Sequence, residues 1–322
     1  LYRDLTTWLL IDDRAGNASQ VRGVGEALGV RFEIRDIAYT AAGALPNMVL
    51  GASFHGLTAS SRVNLVAPWP DLIIAAGRRT APVARHIKEK NRGETFLVQL
   101  MNPGDTGIDD FDLICVPRHD RRPPRDNQME ITGAPHRVTE GVLTEAVGKW
   151  ADKFAYLPEP RIALIVGGST KRRKFTPEMA LQLAALADQT AQAAAGSLLV
   201  STSRRTDGQA ADALVGALSA PHCVYRWGDE GENPYFGYLG CSSAVIVTGD
   251  SVSMCSEACA TTGPVYIFAP KKLTVAKHGH LHRELYELGY ARPLDGTFAA
   301  WKHPPLNAAL AIAAEIRKRM GI

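Results

Sequence analysis

The chain has 322 residues, 46% of them hydrophobic and 21% charged, which is typical of a globular protein long enough for two domains. Its formal charge of +3 is too small to indicate nucleic-acid binding, and its five scattered cysteines do not predict a disulfide framework. No apolar run reaches the roughly 20 residues of a membrane span, and the opening "LYRDLTTWLLIDD" does not predict a signal peptide, because its short apolar part runs into Asp12 and Asp13. These features predict a cytoplasmic protein with no nucleic-acid partner and at most peripheral membrane association.

Short apolar runs alternate with amphipathic stretches along the first half of the chain. Several of these runs are continuously apolar, which favours strands buried on both faces of a parallel sheet. The predicted strands cover 6–12, 31–37, 71–77, 95–101, 111–117 and 129–135, and the predicted helices cover 18–28, 79–91 and 138–154.

Two prolines in "AYLPEPR" (155–161) end the last of these helices and predict a domain boundary. Beyond them the alternation restarts, with predicted strands 161–168, 197–203, 222–227, 244–250 and 265–270 and predicted helices 177–195, 208–219, 234–240, 252–262, 279–289 and 306–320. We therefore predict an α/β protein with two Rossmann-like parallel-sheet domains facing a central cleft, residues 1–157 and 158–304. The closing helix, within 305–322, is predicted to pack back on the first domain.

The stretch "IVGGSTKRRKFTPEMA" (165–180) contains the strongest candidate for a phosphate site. Gly167 and Gly168 end a predicted strand and allow a ligand to approach the backbone closely. Ser169 and Thr170 follow them, and then come four basic residues, of which Lys171 is the first. Hydroxyls, N–H groups and cations at a strand end suit a diphosphate, although a solvated basic turn is the alternative.

The first strand ends in "LLIDDRAGNASQ" (9–20), which supplies carboxylates and a glycine turn. Asp12 and Asp13 are candidates for a general base, and either could instead cap the turn. Gly16 is predicted to bring the backbone of the first domain close to the cleft. A second candidate base, His119, lies in the basic, proline-rich loop "VPRHDRRPPRDNQ" (116–128), for which a solvated loop is the alternative.

The hydroxyl-rich stretch "TGDSVSMCSEACATTG" (248–263) contains a single glutamate, Glu257. With a helix over 252–262, Asp250, Ser253, Glu257 and Thr261 share one face that begins at a strand end. A carboxylate there can accept both hydroxyl hydrogens of a ribose, although a solvent-facing glutamate is the alternative. We expect no metal site, because no other ligands lie close in sequence to Cys255 and Cys259.

Two short segments repeat Arg-Arg-Thr just past a predicted strand end, "AAGRRT" (75–80) and "STSRRT" (201–206). In an open α/β sheet the carboxyl ends of the strands face the ligand crevice. The repeat predicts either a shared arrangement in the two domains or two unrelated basic turns.

Several blocks together resemble the family of mitochondrial fission proteins first named in plants for elongated mitochondria. They include "WLLIDDRAGNASQVRGVGEALG", "PDLIIAAGRRTAPVARHIK", "ALIVGGSTKRRKF" and "NPYFGYLGCSSAVIVTGDSVSMCSEACATTGPVYIF". Bacterial members of that family are labelled predicted nucleoside-diphosphate-sugar epimerases. The resemblance implies an architecture like that of the GT-B glycosyltransferases, in particular the bacterial enzyme that adds N-acetylglucosamine to the lipid-linked peptidoglycan precursor.

The same resemblance implies roles for individual residues. In those enzymes a Gly-Gly-Ser turn contacts the donor diphosphate, and a serine-rich helix start followed by a glutamate binds the nucleotide. The residues that match these two motifs are Gly167, Gly168 and Ser169 for the turn, and Ser251, Ser253 and Glu257 for the helix. By this likeness Glu257 holds the ribose, and Asn17 stands where the glycosyltransferase has a histidine that helps to deprotonate the acceptor.

Our leading hypothesis is a metal-independent GT-B glycosyltransferase that uses a nucleotide sugar as substrate, needs no bound cofactor, and has a lipid-linked or saccharide acceptor. Residues 167–170 with Lys171 and Arg172 would neutralise the leaving diphosphate in place of Mg²⁺, and Asp13 or His119 would be the base. Trp227 and Asn233, in "YRWGDEGENPYFG", would wall the base pocket. The alternatives are a nucleoside-diphosphate-sugar epimerase and a non-catalytic scaffold on the same fold.

Overall fold

The apolar runs of the first half form one parallel sheet in the computed structural model, which describes residues 5–322. Its six strands are Thr7–Ile11 (β1), Phe32–Asp36 (β2), Leu72–Ala76 (β3), Phe96–Leu100 (β4), Leu113–Pro117 (β5) and Gln128–Ile131 (β6). The helices between them are Ala15–Leu28 (α1), Asn47–Leu50 (α2), Ala59–Val63 (α3) and Ala81–Lys90 (α4). The strand order is β2-β1-β3-β4-β5-β6.

Alternate residues of each strand of this sheet enter different cores. Leu9 and Ile74 are fully buried in the core on one face, with α1, while Trp8 and Ile73 are buried on the other face, with α4. Because both faces are covered, the strands must be apolar throughout, and this requirement explains the continuous runs in the sequence.

The second half forms another six-stranded parallel sheet. Its strands are Arg161–Val166 (β7), Ser197–Thr202 (β8), His222–Tyr225 (β9), Ala244–Thr248 (β10), Val265–Phe268 (β11) and Arg292–Pro293 (β12). The helices are Glu140–Trp150 (α5), Pro177–Ala193 (α6), Gly208–Ala217 (α7), Tyr235–Gly240 (α8), Val252–Ala258 (α9) and Ala276–Glu287 (α10). The strand order is β12-β11-β10-β7-β8-β9.

The two sheets differ in strand order. From β9 to β12 the second sheet has the 3-2-1-4-5-6 order of dinucleotide-binding Rossmann domains, so its order reverses between β7 and β10. The first sheet has a 2-1-3-4-5-6 order, which reverses between β1 and β3. Loops that leave neighbouring strands in opposite directions open a crevice at these points, so each sheet has one preferred place for a ligand.

The chain divides into two compact units, residues 5–137 with 307–322 and residues 138–306. The change of unit therefore comes 20 residues before the predicted boundary at 157, and α5 belongs to the second unit. The reason is that α5 packs closely on α8, where a Cβ at Gly237 would lie 2.5 Å from the Trp150 ring. The proline segment does not separate the units, because the Pro158 carbonyl accepts a 2.6 Å hydrogen bond from Ser197 at the start of β8.

The last helix, Ala308–Met320 (α11), returns to the first unit. Its apolar side, including Ile312 and Ile316, is buried in the same core as α1. The Arg317 guanidinium also donates to the carbonyl of Leu28 at the end of α1, at 2.6 Å. The last 16 residues are therefore part of the first compact unit.

The predicted strands and the predicted Rossmann-like class are confirmed. The short α2, α3 and β12 were not predicted, and residues 1–4 of the predicted first domain lie outside the described residues. Within residues 5–322, no helix combines the length and the apolar composition needed to cross a bilayer.

Candidate functional site

The turn that follows β7 is held by hydrogen bonds from both neighbouring strands. The N–H of Gly167 donates to the Thr248 hydroxyl at the end of β10, at 2.7 Å. The Gly167 carbonyl accepts from the hydroxyls of Ser203 and Thr206, which follow β8, the latter at 2.9 Å. A side chain has no room here, since a Cβ at position 167 would lie 2.4 Å from Oδ2 of Asp250. The turn is therefore fixed at the point where the strand order reverses.

The next residue, Gly168, adopts a conformation that favours glycine, with φ at +123°. A Cβ there would lie 2.2 Å from the carbonyl oxygen of Arg205, which accepts a 2.8 Å hydrogen bond from the N–H of Ser169. Within residues 5–322 the N–H of Gly168 itself makes no hydrogen bond. Such an N–H at a strand end is a donor suited to an anionic oxygen.

The following residues form a small basic loop. The backbone N–H of Thr170 donates to the carbonyl of Arg173 at 2.7 Å, and the Thr170 hydroxyl accepts from the Arg173 N–H at 3.1 Å. The side chains of residues 171–174 are all exposed, and none forms an ion pair with another residue in the described part of the chain. Lys171 and Arg172 therefore carry positive charge beside the turn that no carboxylate neutralises.

A buried ion pair underlies the turn. Asp250 follows β10, its side chain is fully buried, and it lies 2.7 Å from Nη1 of Arg205. The Arg205 side chain is 33% exposed, whereas the Asp250 side chain is not exposed at all. The pair ties the loop after β8 to the loop after β10, with Gly167 between them.

Helix α9 carries Glu257, the residue that was predicted to hold a ribose. The Ser251 hydroxyl accepts from the N–H of Met254 and caps the helix at its start. Glu257, six residues after Ser251, accepts a 2.6 Å hydrogen bond from the hydroxyl of Tyr235 on α8. Burial raises the pKa of Tyr235, and the Glu257 carboxylate raises it further, so the phenol remains a donor at neutral pH. This bond fixes one carboxylate oxygen, and a carboxylate can accept several hydrogen bonds at once.

The predicted polar face of this helix is only partly present. The helix ends at Ala258, not at 262, and Thr261 lies beyond it with its hydroxyl bonded to the Ala258 carbonyl at 2.8 Å. Asp250 precedes the helix and is held by Arg205. Ser253 and Glu257, both half-buried, are the two members of that face that α9 carries.

The two predicted base-pocket residues lie at different places in the second unit. The backbone N–H of Trp227 donates to Thr202 at the end of β8, at 2.9 Å, and its side chain is 58% exposed. Asn233 is exposed and accepts a 3.0 Å hydrogen bond from the N–H of Tyr235, the first residue of α8. Asn233 therefore contacts the backbone of Tyr235, whereas Trp227 follows β9, which is three strands away from β10.

Helix α10 brings a histidine to the same edge. Burial lowers the pKa of His278 below its ordinary 6.5, and although the Asp250 carboxylate raises it, Lys277 and Arg205 also lower it. One turn further along, the His282 ring packs on the strand end, where a Cβ at Gly249 would lie 2.5 Å away. His278 is therefore an uncharged imidazole at neutral pH, next to the Asp250–Arg205 pair.

The corresponding edge of the first unit carries Asp12 and Asp13. Asp12 is buried and accepts from Asn17 at 3.1 Å, and Arg79 lies 3.3 Å from its other oxygen. Asp13 is 71% exposed and also pairs with Arg79. The Arg79 guanidinium stacks over the ring of Tyr39 at 4.3 Å. Asp12, Asp13, Tyr39 and Arg79 line a cavity of about 520 Å³, so Asp13 is accessible there to a ligand.

Gly16 and His119, also in the first unit, differ in their accessibility. Gly16 is exposed in the first turn of α1, next to Asn17, whose amide is bound to Asp12. His119 has a fully buried side chain, with Nε2 lying 3.6 Å from Asp120. Of the three predicted bases, Asp12 and His119 are buried and Asp13 is exposed, so Asp13 is the one that a ligand can reach in this structure.

Three contributors to the second edge were not among the predicted site residues: Tyr235, Arg205 and Thr206. The repeated Arg-Arg-Thr signalled the last two, because Arg205 binds Asp250 and Thr206 binds the turn. Tyr235 fell within the predicted wall of the base pocket, but nothing in the sequence paired it with Glu257.

The structure also bears on metal binding. Within residues 5–322, no three His, Cys, Asp or Glu side chains gather as they would around a metal ion. Burial raises the pKa of the thiols of Cys255 and Cys259, which disfavours the thiolates that would bind one.

Comparisons with known proteins agree with this architecture. A model of the family described as Mitochondrial fission ELM1 matches residues 15–320. The mitochondrial fission protein ELM1 of Arabidopsis thaliana is 29% identical over 299 residues, which cover 84% of this chain and 69% of that protein. The uncharacterized protein RP120 of Rickettsia prowazekii is 27% identical over 348 residues, 97% of this chain and 98% of that protein.

Solved structures share the fold at low identity. UDP-GlcNAc 2-epimerase from Methanocaldococcus jannaschii has a TM-score of 0.58 and 9% identity, covering 99% of this chain and 100% of that one. The glycosyltransferase SnogD from Streptomyces nogalater has a TM-score of 0.50 and 14% identity, covering 98% and 95%. The predicted GT-B fold class is therefore confirmed.

Proposed function

The chain belongs to the Mitochondrial fission ELM1 family, and we propose that it binds a nucleoside diphosphate sugar at the carboxyl edge of its second sheet. The observation that carries this proposal is the turn after β7, which hydrogen bonds from β8 and β10 hold rigid while the N–H of Gly168 remains available. A preformed donor of this kind binds an anion without first having to become ordered.

The diphosphate interacts with this turn and the basic residues around it. The N–H of Gly168 and the hydroxyls of Ser169 and Thr170 lie at the turn, and Lys171 and Arg172 add two positive charges that no ion pair neutralises in the described structure. A diphosphate carries its negative charge on oxygens that such donors match. These cations take the role that Mg²⁺ has in other sites, so the leaving diphosphate is stabilised without a metal.

The nucleoside lies toward α9. Glu257 is oriented by Tyr235, and its carboxylate is the group that we propose holds the ribose hydroxyls. Ser251 and Ser253, at the start of the same helix, contribute hydroxyls between the ribose and the diphosphate. Asn233 borders the base on the α8 side, and Trp227 supplies an exposed aromatic surface from the β8 side.

For the chemical step we propose glycosyl transfer, with Asp13 as the base that takes the acceptor proton. Asp13 is exposed and lines a cavity in the first unit, whereas His119 is buried. A solved UDP-GlcNAc 2-epimerase of this fold from Neisseria meningitidis is bound to UDP-GlcNAc, which supports the proposed substrate class for this chain. Epimerisation and a non-catalytic role are the alternatives that the experiments below distinguish.

The first test measures nucleotide binding. We expect UDP, or another nucleoside diphosphate in a panel, to bind and to raise the melting temperature. Glu257→Gln keeps an acceptor for Tyr235 but loses the charge, and should weaken binding about 10- to 100-fold, since hydrogen bonds to charged groups contribute about 1.5–3 kcal/mol. Glu287→Gln, at an exposed position on α10, is the matched control and should bind as the wild type does.

The results can contradict the proposal at two levels. If no nucleoside diphosphate binds, both enzyme hypotheses fail and the scaffold is favoured. If one binds, incubating the corresponding nucleotide sugar alone separates the remaining functions. An isomerised sugar means an epimerase, while a donor that stays intact until an acceptor is added means a transferase.

A further inference from the structure

The opposite edge of the second sheet has a cavity of its own. A cavity of about 890 Å³ opens at the amino ends of β10 and β11, next to Ser243 and Pro264, whereas the proposed nucleotide site lies at the carboxyl ends. This volume is within the range of about 300–1,000 Å³ that is usual for small-molecule sites. Apolar side chains form most of its wall: Leu143 and Val147 on α5, Leu239 on α8, and Phe298, Trp301 and Pro305 in the segment after β12.

The wall after β12 is held in place by the sheet beneath it. The hydroxyl of Tyr266 on β11 accepts from the N–H of Ala299 at 2.8 Å and donates to the carbonyl of the same residue at 3.1 Å. The Trp301 ring packs edge-on against Tyr266, with centroids 5.3 Å apart, and Arg292 stacks over Trp301 at 4.2 Å. The backbone of His303 is bonded to Thr262 at 3.2 Å. The cavity is therefore preformed.

Two charged side chains and a buried serine hydroxyl are among the polar groups of this cavity, and the two charged side chains have different surroundings. Lys302 and Glu140 both line it, and neither makes an ion pair within residues 5–322. Glu140 stands in the first turn of α5, where the partial positive charge of the helix end compensates a carboxylate. Lys302, in contrast, is exposed and lies outside any helix. The Ser242 hydroxyl oxygen is buried there and has no hydrogen-bond partner in the described structure.

From these observations we propose that the cavity binds an anionic amphiphile, a molecule with one apolar chain and a carboxylate or phosphate head. The apolar wall accommodates the chain, Lys302 pairs with the head, and Ser242 accepts or donates one further hydrogen bond. The concave shape favours a small molecule over a partner protein, which would need a flatter surface. This site does not depend on the proposed nucleotide site.

The test uses three probes that share one alkyl chain: decanoate, decyl phosphate and decanol, titrated calorimetrically below the concentrations at which they aggregate. We expect at least one anion to bind about tenfold more tightly than decanol, as one ion pair of about 1.4 kcal/mol provides. Lys302→Met should remove this preference and Lys302→Arg should retain it. The control, Lys272→Met, removes the same charge at an exposed position after β11 and should change nothing.

A second pair of variants tests the cavity itself. Thr144 is an exposed α5 residue that lines the cavity, and its neighbour Glu145 is exposed but does not line it. Thr144→Trp should fill the space and abolish binding of the anion, while Glu145→Trp should bind as the wild type does. Circular dichroism spectra that match the wild type establish that both variants fold.

Each outcome supports or overturns the proposal. Tighter binding of decanoate indicates a fatty acid, and tighter binding of decyl phosphate indicates a lipid phosphate; both support it. The proposal is wrong if neither anion binds, if decanol binds as tightly, if Lys302→Met has no effect, or if the two tryptophan variants behave alike.

Discussion

Threonine, arginine and aspartate side chains lie at the carboxyl edges of both sheets, but they bind different partners in the two units. In the first unit Thr80 binds the carbonyl of Gly77 after its own strand, at 2.9 Å, and Arg79 pairs with Asp12 after the neighbouring β1. In the second unit Thr206 reaches across to the neighbouring β7 and binds the Gly167 carbonyl, also at 2.9 Å. The Thr80 hydroxyl therefore binds the end of its own strand, whereas the Thr206 hydroxyl binds the turn after a neighbouring strand.

The two edges also differ in charge. The cavity of the first unit is lined by Asp12, Asp13 and Asp36, with Arg79 as its cation. At the edge of the second unit, by contrast, Asp250 is the buried acid of an ion pair, and residues 171–174 are all basic. An edge with a clamped turn and excess cations suits a diphosphate, whereas an acidic edge repels one. The difference favours the edge of the second unit over that of the first for the proposed nucleotide site.

The largest expected effect concerns the glycines of the two turns. Gly168→Ala would place a Cβ 2.2 Å from a backbone oxygen at φ +123°, and should destabilise the protein by about 3 kcal/mol or more. Gly77→Ala, at φ +81°, would meet a side-chain atom of Asn17 at 3.0 Å and no backbone atom, and should destabilise the protein by about 1–2 kcal/mol. Urea unfolding followed by circular dichroism measures both.

Gly208→Ala is the control for the glycine pair, because it begins α7 with no heavy atom within 4 Å of the new Cβ. It should leave stability unchanged or slightly raised. Equal losses for Gly168→Ala and Gly77→Ala would mean that the two turns are equally constrained, and would contradict the comparison.

A smaller effect is expected from removing each arginine. Arg205→Met leaves Asp250, whose side chain is fully buried, without its ion-pair partner, and should destabilise the protein by about 3 kcal/mol. Arg79→Met leaves Asp12 with the Asn17 amide and the Arg14 N–H, both at 3.1 Å, and should cost about 1 kcal/mol. The measurement is again urea unfolding.

The double variant Arg205→Met/Asp250→Asn serves as the control for the arginine pair. It removes the buried charge and should recover part of the loss. A larger loss for Arg79→Met than for Arg205→Met would show that Asp12 depends on its arginine more than Asp250 does.

The smallest effect concerns pH. Tyr39 lies beside the ion pair of the first unit. Burial raises the pKa of Tyr39, and the Asp12 carboxylate raises it further, so the charge of Tyr39 does not change near neutral pH. His278 lies beside the ion pair of the second unit, and burial lowers the pKa of His278 below 6.5. As the pH falls, the unfolded chain therefore binds a proton at His278 at a higher pH than the folded chain does. The free energy of folding that the neutral His278 contributes is present above pH 6.5 and is lost as the pH falls through the lower pKa of the folded chain.

Replacing His278 by glutamine removes this titration. On acidification from about pH 7 to about pH 5, the wild type should lose slightly more unfolding free energy than His278→Gln, because the other histidines titrate in both. Urea unfolding at the two pH values measures the difference. An equal loss would mean that His278 titrates alike in the folded and unfolded chains.

Much of the fold could be predicted from the sequence because its signals are local. Continuous apolar runs such as "DLIIAAG" (71–77) mark strands covered on both faces, and the glycines at 167 and 168 mark a turn where a side chain would clash. The boundary was harder, because two prolines indicate a break in a helix but not the side on which α5 packs. The end of α9 at Ala258 was missed because neither glycine nor proline stops the helix there.

The sequence by itself determined the α/β class, the order of the elements and the residue types at each strand end, since these follow from local hydrophobic periodicity and turn chemistry. The tertiary structure alone decided which strand ends meet. Strand order placed Gly167 between Thr248 and Thr206, paired Arg205 with Asp250, and set Tyr235 on Glu257. These partners are 22 to 81 residues apart in the chain, so only pairing of distant strands and packing of helices brings them together.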